Sequence, residues 1–323
     1  MKRGVSTAGL VVFLLVDIVL VYLALRPPAT STSTAAPSVT RTTPLVPETV
    51  EPAETGAPQT TVPTGTTTSG TLDSIGQLAP RPVRILLAAL DREVAWRATV
   101  GSCATGGATL SISVDGGTTW DDVDAPADTI ARVQPLDRQR GFIVGGVDSC
   151  AQDQFTTEDG GRTWAGPDAL VGGWARRLDV RSEVTTPQSP AATPCGGDAV
   201  IDLSRTSADQ AEALCREGGV KVTDDGGVTW RDSGEAEGAL AISNRLEGGV
   251  LATYVVRAGV EGCGGLQVAK VTRGVGATEV ACVDAAQGSA GNVAISVAAE
   301  AGWLVVGERT WVSGADLTDW EQA

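Results

Sequence analysis

Hydrophobic and polar positions divide the chain into three regimes. From Ala8 to Leu25 they form one run of 18 residues, apolar except for Asp17, long enough for a helix to cross a bilayer. From Pro27 to about Gly76 there is no period and no aromatic residue, and Thr, Ser, Pro and Ala predominate, with scattered Glu48, Glu51 and Glu54. From about Leu78 to Ala323, short alternating apolar runs recur between glycine-rich turns, the pattern of strands joined by hairpins.

The first regime reads as a retained signal-anchor. Its apolar run exceeds a typical signal-peptide core, and Arg26-Pro27-Pro28 offers no small-x-small cleavage site, which sets it against the cleaved alternative. Lys2 and Arg3 precede it and a lone Arg26 follows, so the charge bias leaves the N-terminus in the cytoplasm. The expectation is a cytoplasmic tail over 1–7 and a transmembrane helix over 8–25, in a single-pass protein of the cell membrane. Asp17 costs about 2.5–3.5 kcal/mol there, which the surrounding Val, Leu, Ile and Phe offset. Residues 26–77 cannot build a core and are expected to be a disordered Thr/Ser/Pro-rich linker. Fully extended, a stalk of this length reaches at most about 150 Å.

Within 78–323 one eight-residue stretch occurs three times: Ser113 to Trp120, Thr157 to Trp164 and Thr223 to Trp230, each ending Asp-Gly-Gly-x-Thr-Trp. Apolar runs such as Leu110–Val114 and Val220–Val222 lead into it. The paired glycines supply the positive φ of a tight turn, and the Asp and Ser/Thr oxygens can accept turn N–H groups. The Trp is expected to fold under the hairpin and bury its ring. Three apolar runs precede each stretch, as in Arg84–Leu90, Val94–Val100 and Leu110–Val114, and a short one follows it. Two decayed copies begin at Thr272 and Ser313. Starts at 113, 157, 223, 272 and 313 are 44, 66, 49 and 41 residues apart, against about 40–50 for a four-stranded repeat. The long interval holds a polar insertion, Ser182–Gly197. Five units are counted, with six as the alternative.

The stretch resembles the Asp-box, Ser/Thr-x-Asp-x-Gly-x-x-Trp, the bacterial neuraminidase repeat of sialidases, sortilin-type receptors, xyloglucan-processing enzymes and photosystem II assembly factors. The resemblance implies an all-β, Asp-box β-propeller of five or six blades over 78–323. It assigns a structural role to Ser113, Asp115, Gly117, Thr119 and Trp120, to Thr157, Asp159, Gly161, Thr163 and Trp164, and to Thr223, Asp225, Gly227, Thr229 and Trp230. In those families the box lies on outer turns, away from the channel where ligands bind.

Composition narrows the chemistry. A net charge of −15 argues against a nucleic-acid partner, which needs clustered Lys and Arg. The chain has no His, which removes His-activated nucleophiles and His-based zinc sites. Asp121, Asp122, Asp124 and Asp128 lack the spacing of a calcium loop, and no phosphate-loop motif occurs, so neither a metal nor a cofactor is expected. All six cysteines follow the apolar run and read as disulfides in an oxidising compartment. Fifteen pairings are open. Cys103, Cys150 and Cys263 share one place in their units, and proximity in that register suggests Cys103–Cys150, Cys195–Cys215 and Cys263–Cys282.

For function, the sequence suggests a binding or assembly module for a protein or cell-envelope glycan, held at a mouth formed by the loops of Cys103, Cys150 and Cys263 with Ser182–Gly197 as lid. A glycoside hydrolase of sialidase-like architecture is one alternative. Its Phe/Tyr-Arg-Ile-Pro motif is absent, Arg81 to Ile85 being the nearest stretch, and Tyr254 sits in an apolar strand where packing explains it. A stalked structural head without a ligand is the other.

Overall fold

The structure, a computed structural model, describes residues 79–323 except Gln287. The expected tail, transmembrane helix and linker lie outside the described residues, among which no helix is long and apolar enough to cross a membrane.

Five antiparallel four-stranded sheets follow one another along the chain. The first contains β1 (Ile85–Ala89), β2 (Ala95–Thr99), β3 (Thr109–Ser113) and β4 (Asp121–Val123); the second β5 (Thr129–Pro135), β6 (Gly141–Gly146), β7 (Asp153–Thr157) and β8 (Ala165–Ala169). A two-stranded sheet of β9 (Ala175–Arg176) and β10 (Val184–Thr185) comes next. The third sheet has β11 (Val200–Arg205), β12 (Ala211–Cys215), β13 (Gly219–Thr223) and β14 (Arg231–Glu235). The fourth has β15 (Ala239–Glu247), β16 (Val250–Ala258), β17 (Leu266–Thr272) and β18 (Gly276–Val283), and the fifth β19 (Val293–Val297), β20 (Ala301–Val306), β21 (Arg309–Gly314) and β22 (Trp320–Gln322).

The first strands form a ring: β1 lies against β5 and β19, β5 against β9, β9 against β11, β11 against β15 and β15 against β19. Radial sheets around a closed inner ring make a β-propeller. It has five blades, and the insertion is a two-stranded wedge between blades 2 and 3. Each inner strand is a sheet edge whose free N–H groups need partners. Neighbouring side chains supply them: Ile242 N donates to Asp202 Oδ2 at 3.0 Å, Asn244 N to Ser204 Oγ at 3.0 Å, Val297 N to Ser243 Oγ at 2.9 Å and Ala89 N to Ser296 Oγ at 2.9 Å. No strand is shared between the first and last blades. That junction is held by bonds such as Arg84 N to Gly291 O (2.6 Å) and Trp303 Nε1 to Asp91 O (2.8 Å).

The three repeated stretches are the turns between third and fourth strands, and their bonding is nearly superimposable. Ser113 Oγ, Thr157 Oγ1 and Thr223 Oγ1 each donate to the following Asp at 3.0, 2.9 and 2.8 Å. They accept from Gly117, Gly161 and Gly227 N at 2.9, 2.9 and 3.1 Å. Each Asp carboxylate then takes the N–H and hydroxyl of Thr119, Thr163 or Thr229. Donation from Thr163 and Thr229, hydroxyl first and backbone next, holds Asp159 and Asp225 down at about 2, and the Thr119 backbone N–H leads in depressing Asp115. A depressed acid contributes stability above its unfolded value and loses it as pH falls through the folded one, so the Asp159 and Asp225 turns lose this contribution only as pH approaches about 2.

The second glycine of each turn faces the preceding ring element. A Cβ on Gly117 would lie 2.8 Å from Thr310 Cγ2 of blade 5, one on Gly161 3.0 Å from Ile112 Cδ1 of blade 1, and one on Gly227 2.6 Å from Thr186 of the wedge. The tryptophans differ from expectation in the same way. Rather than folding beneath their own hairpins they stay half-buried and meet a tryptophan of the preceding element edge-on. Trp120 meets Trp303 at 6.0 Å, Trp164 meets Trp96 at 6.0 Å and Trp230 meets Trp174 at 6.1 Å. The wedge therefore offers blade 3 what a full blade offers its neighbour, although it carries no box of its own.

Candidate functional site

The central channel contains a cavity of about 240 Å³ lined by β1, β5, β9, β11, β15 and β19. The inner strands run from a closed end to an open one. Ile85 and Leu86 of β1 and Val200 and Ile201 of β11 are buried, whereas Leu87–Ala89 and Asp202–Arg205 are half-buried. The chain leading into β1 stops the closed end: Val83 N donates to Ile201 O across the ring at 2.9 Å, and Arg176 Nη2 donates to Val83 O at 2.7 Å. The open end lies where first and second strands turn. The boxes share that end, since Gly116, Gly160 and Gly226 N donate to Glu93, Gln139 and Asp209 O in those turns at 3.0, 2.7 and 2.9 Å.

This places the mouth opposite to where the sequence suggests. Antiparallel alternation puts the β2–β3 loop of Cys103, the β6–β7 loop of Cys150 and the β16–β17 loop of Cys263 at the closed end, and none of these residues lines the cavity. Ser182–Gly197 is no lid either. It supplies β10, and Thr186 packs beneath Gly227. The disulfides are Cys103–Cys150, joining blades 1 and 2, Cys195–Cys215, pinning the wedge to blade 3, and Cys263–Cys282 within blade 4. None of the 15 box residues lines the cavity. Tyr254 is also outside it, buried, with its hydroxyl donating to Glu247.

The cavity wall carries three guanidinium groups, Arg132, Arg176 and Arg205, beside uncharged polar groups of Gln134, Ser204, Ser243, Asn244 and Ser296. Asp202 is the one acid among its described lining residues, and it already accepts from Leu203 N at 2.8 Å and Ile242 N at 3.0 Å. Burial raises the Asp202 carboxyl and lowers Arg176, and each charge moderates the other's shift. Arg132 stacks over Phe142, 4.9 Å from the ring centroid, and donates to Trp174 O at 3.3 Å. Arg132 Nη2 and Arg205 Nη2 both donate to Gln134 Oε1 at 3.0 Å. Burial pulls both guanidiniums below their ordinary value, Arg132 well below, with the Arg205 charge adding to it. Sequence reading missed these residues. Their signal is a charged or amide side chain recurring inside an inner-strand apolar run, as in Ile130-Ala131-Arg132-Val133-Gln134.

A second buried charge lies between blades 3 and 4, outside the cavity. Glu212 is 0% exposed and occupies the β12 register position held by Trp96 in β2 and Trp303 in β20, one pair before the box Ser or Thr. The following blade has no box tryptophan to meet, and Glu212 instead accepts from Thr253 (2.8 and 2.7 Å), Ser233 (3.2 Å) and Asn244 (3.3 Å). Burial raises its pKa, and those hydrogen bonds offset part of the rise. A folded state that holds the proton more tightly than the unfolded chain loses stability as pH rises through and above the ordinary carboxylate range. Glu212→Gln should remove that slope and raise the unfolding temperature at pH 8 relative to pH 5. Melting curves across that range check it, and equal slopes in both proteins would reject the assignment.

No protein-family model matches the chain, and no curated protein matches it. Among solved structures it is similar to YCF48 bound to a D1 peptide, at 19% identity over 76% of this chain and 68% of that one, TM-score 0.28. It is also similar to the SapL1 lectin in complex with alpha methyl fucoside, at 12% identity over 76% and 96%, TM-score 0.44. An ancestral GH74 enzyme matches at 12% identity over 77% of this chain but 32% of its own length, TM-score 0.28. The chain thus spans about a third of that enzyme.

Proposed function

We propose that this protein is a membrane-anchored, extracytoplasmic propeller of the Asp-box type that binds a protein or a cell-envelope glycan in its central cavity. The observation that carries the reading is the cavity wall. Uncharged polar groups and guanidiniums converge on a space closed at one end, with one carboxylate among its described lining residues, whose oxygens already accept backbone N–H groups. Glycoside hydrolysis through paired carboxylates requires two, about 5–10 Å apart, so binding is favoured over the sialidase-like alternative. The three disulfides suit an oxidising compartment, and Lys2, Arg3 and the apolar run Ala8–Leu25 support an anchor with its N-terminus inside.

Photo-cross-linking in intact cells tests this reading. A diazirine analogue of leucine encoded at Leu87, on the cavity wall, should give a discrete adduct with an envelope glycan or protein. The same group at Val171, 87% exposed on the β8–β9 connection, should not. Equal labelling from both positions, or from neither, would overturn the cavity as the binding site.

A further inference from the structure

We infer that the ligand of this cavity presents an oxyanion, a carboxylate, sulfate or phosphate group, to a fork made by Arg132 and Arg205. The inference rests on the cavity-binding reading and adds its chemistry. Two like charges on β5 and β11, the ring strands that flank β9, converge on a single neutral acceptor, Gln134 Oε1, at 3.0 Å each. Neither forms an ion pair among the described residues. Arg205 Nε is buried with no hydrogen-bond partner. This happens in a chain of net charge −15 that pairs Arg177, Arg231 and Arg245 with carboxylates elsewhere.

Like charges held together away from water are unfavourable unless something completes them. The free donors have the geometry of guanidinium forks, which bind planar or tetrahedral oxyanions bidentately. Arg132 is fixed in place by its stack on Phe142 and its bond to Trp174 O, so little ordering is required when the anion arrives. Asp202 pairs with neither Arg132 nor Arg205: its charge acts on Arg176, and its oxygens accept from Leu203 N and Ile242 N.

Two measurements on the full chain test the inference. Calorimetric titration with sodium acetate, sodium sulfate and sodium phosphate should show saturable binding of at least one, and the strongest arm identifies the class. Arg205→Gln should weaken it about 10- to 100-fold, with Arg205→Lys intermediate. Arg205 makes one side-chain hydrogen bond, so this variant leaves the ring bonded.

Gln134→Glu is the second variant. It sets a carboxylate between the two guanidiniums at nearly constant shape, and it should raise the unfolding temperature while abolishing anion binding. A purely structural Gln134 would lead to no gain in stability. No binding of any of the three anions, or a Gln134→Glu protein that is less stable and still binds them, overturns the inference. If Leu87 cross-links persist while anion binding fails, the oxyanion chemistry is wrong and the cavity reading stands. If both fail, the cavity reading falls too.

Discussion

Replacing Trp174 with alanine should lower the unfolding temperature of the propeller by about 6–20 °C. The estimate comes from about 3–5 kcal/mol for a buried tryptophan and about 2–4 °C per kcal/mol in a domain of this size. Trp174 is 2% exposed, meets Trp230 edge-on at 6.1 Å, and donates from Nε1 to Ser207 O and Ala208 O, both at 3.1 Å. Alanine would leave a void between wedge and blade 3 and two carbonyls without their donor. Calorimetry of wild type and variant checks it. A shift below about 2 °C would mean that the Trp174–Trp230 contact does not tie the wedge into the ring.

The second large effect is expected from the cystine that joins two blades. Cys103 and Cys150 are 47 residues apart in sequence, Cys195–Cys215 and Cys263–Cys282 only 20 and 19. Chain entropy assigns about 4 kcal/mol to the long loop and about 3 to each short one. The double variant Cys103→Ser/Cys150→Ser should therefore melt about 8–16 °C lower. It should lose more than Cys263→Ser/Cys282→Ser, whose bridge closes a loop inside one sheet. Melting both pairs side by side decides it, and an equal or larger loss in the blade 4 pair would show that the link between blades 1 and 2 holds no special share of the ring.

Much of this architecture is legible in the residues because each blade repeats the same physical solution. Alternating runs, two glycines at positive φ and a Ser/Thr-x-Asp that bonds its own turn need no tertiary information, and the five four-stranded sheets follow from them. The wedge is harder to see, since two residues per strand give no period to detect. Its one visible mark is Trp174, a lone aromatic in a stretch without a box. Glu212 reads as one surface acid among many until the register of β12 is aligned with β2 and β20, where it falls at the place of Trp96 and Trp303. The open end was illegible for a different reason. It depends on which end of the ring the incoming chain fills, and Val83 looks like the start of any strand.

That incoming chain sets how the protein bears load. A pull on whatever precedes residue 79 is delivered to the hub, at the Val83 bonds to Ile201 and Arg176 and at Arg84 to Gly291. It does not fall on an outer strand that could be peeled away one bond at a time. Blades 1, 3 and 5 and the wedge share the first strain together, so tension applied at residue 79 should meet a stiff, abrupt yield point. The rim, carrying the box turns, would stay slack until the hub had given way.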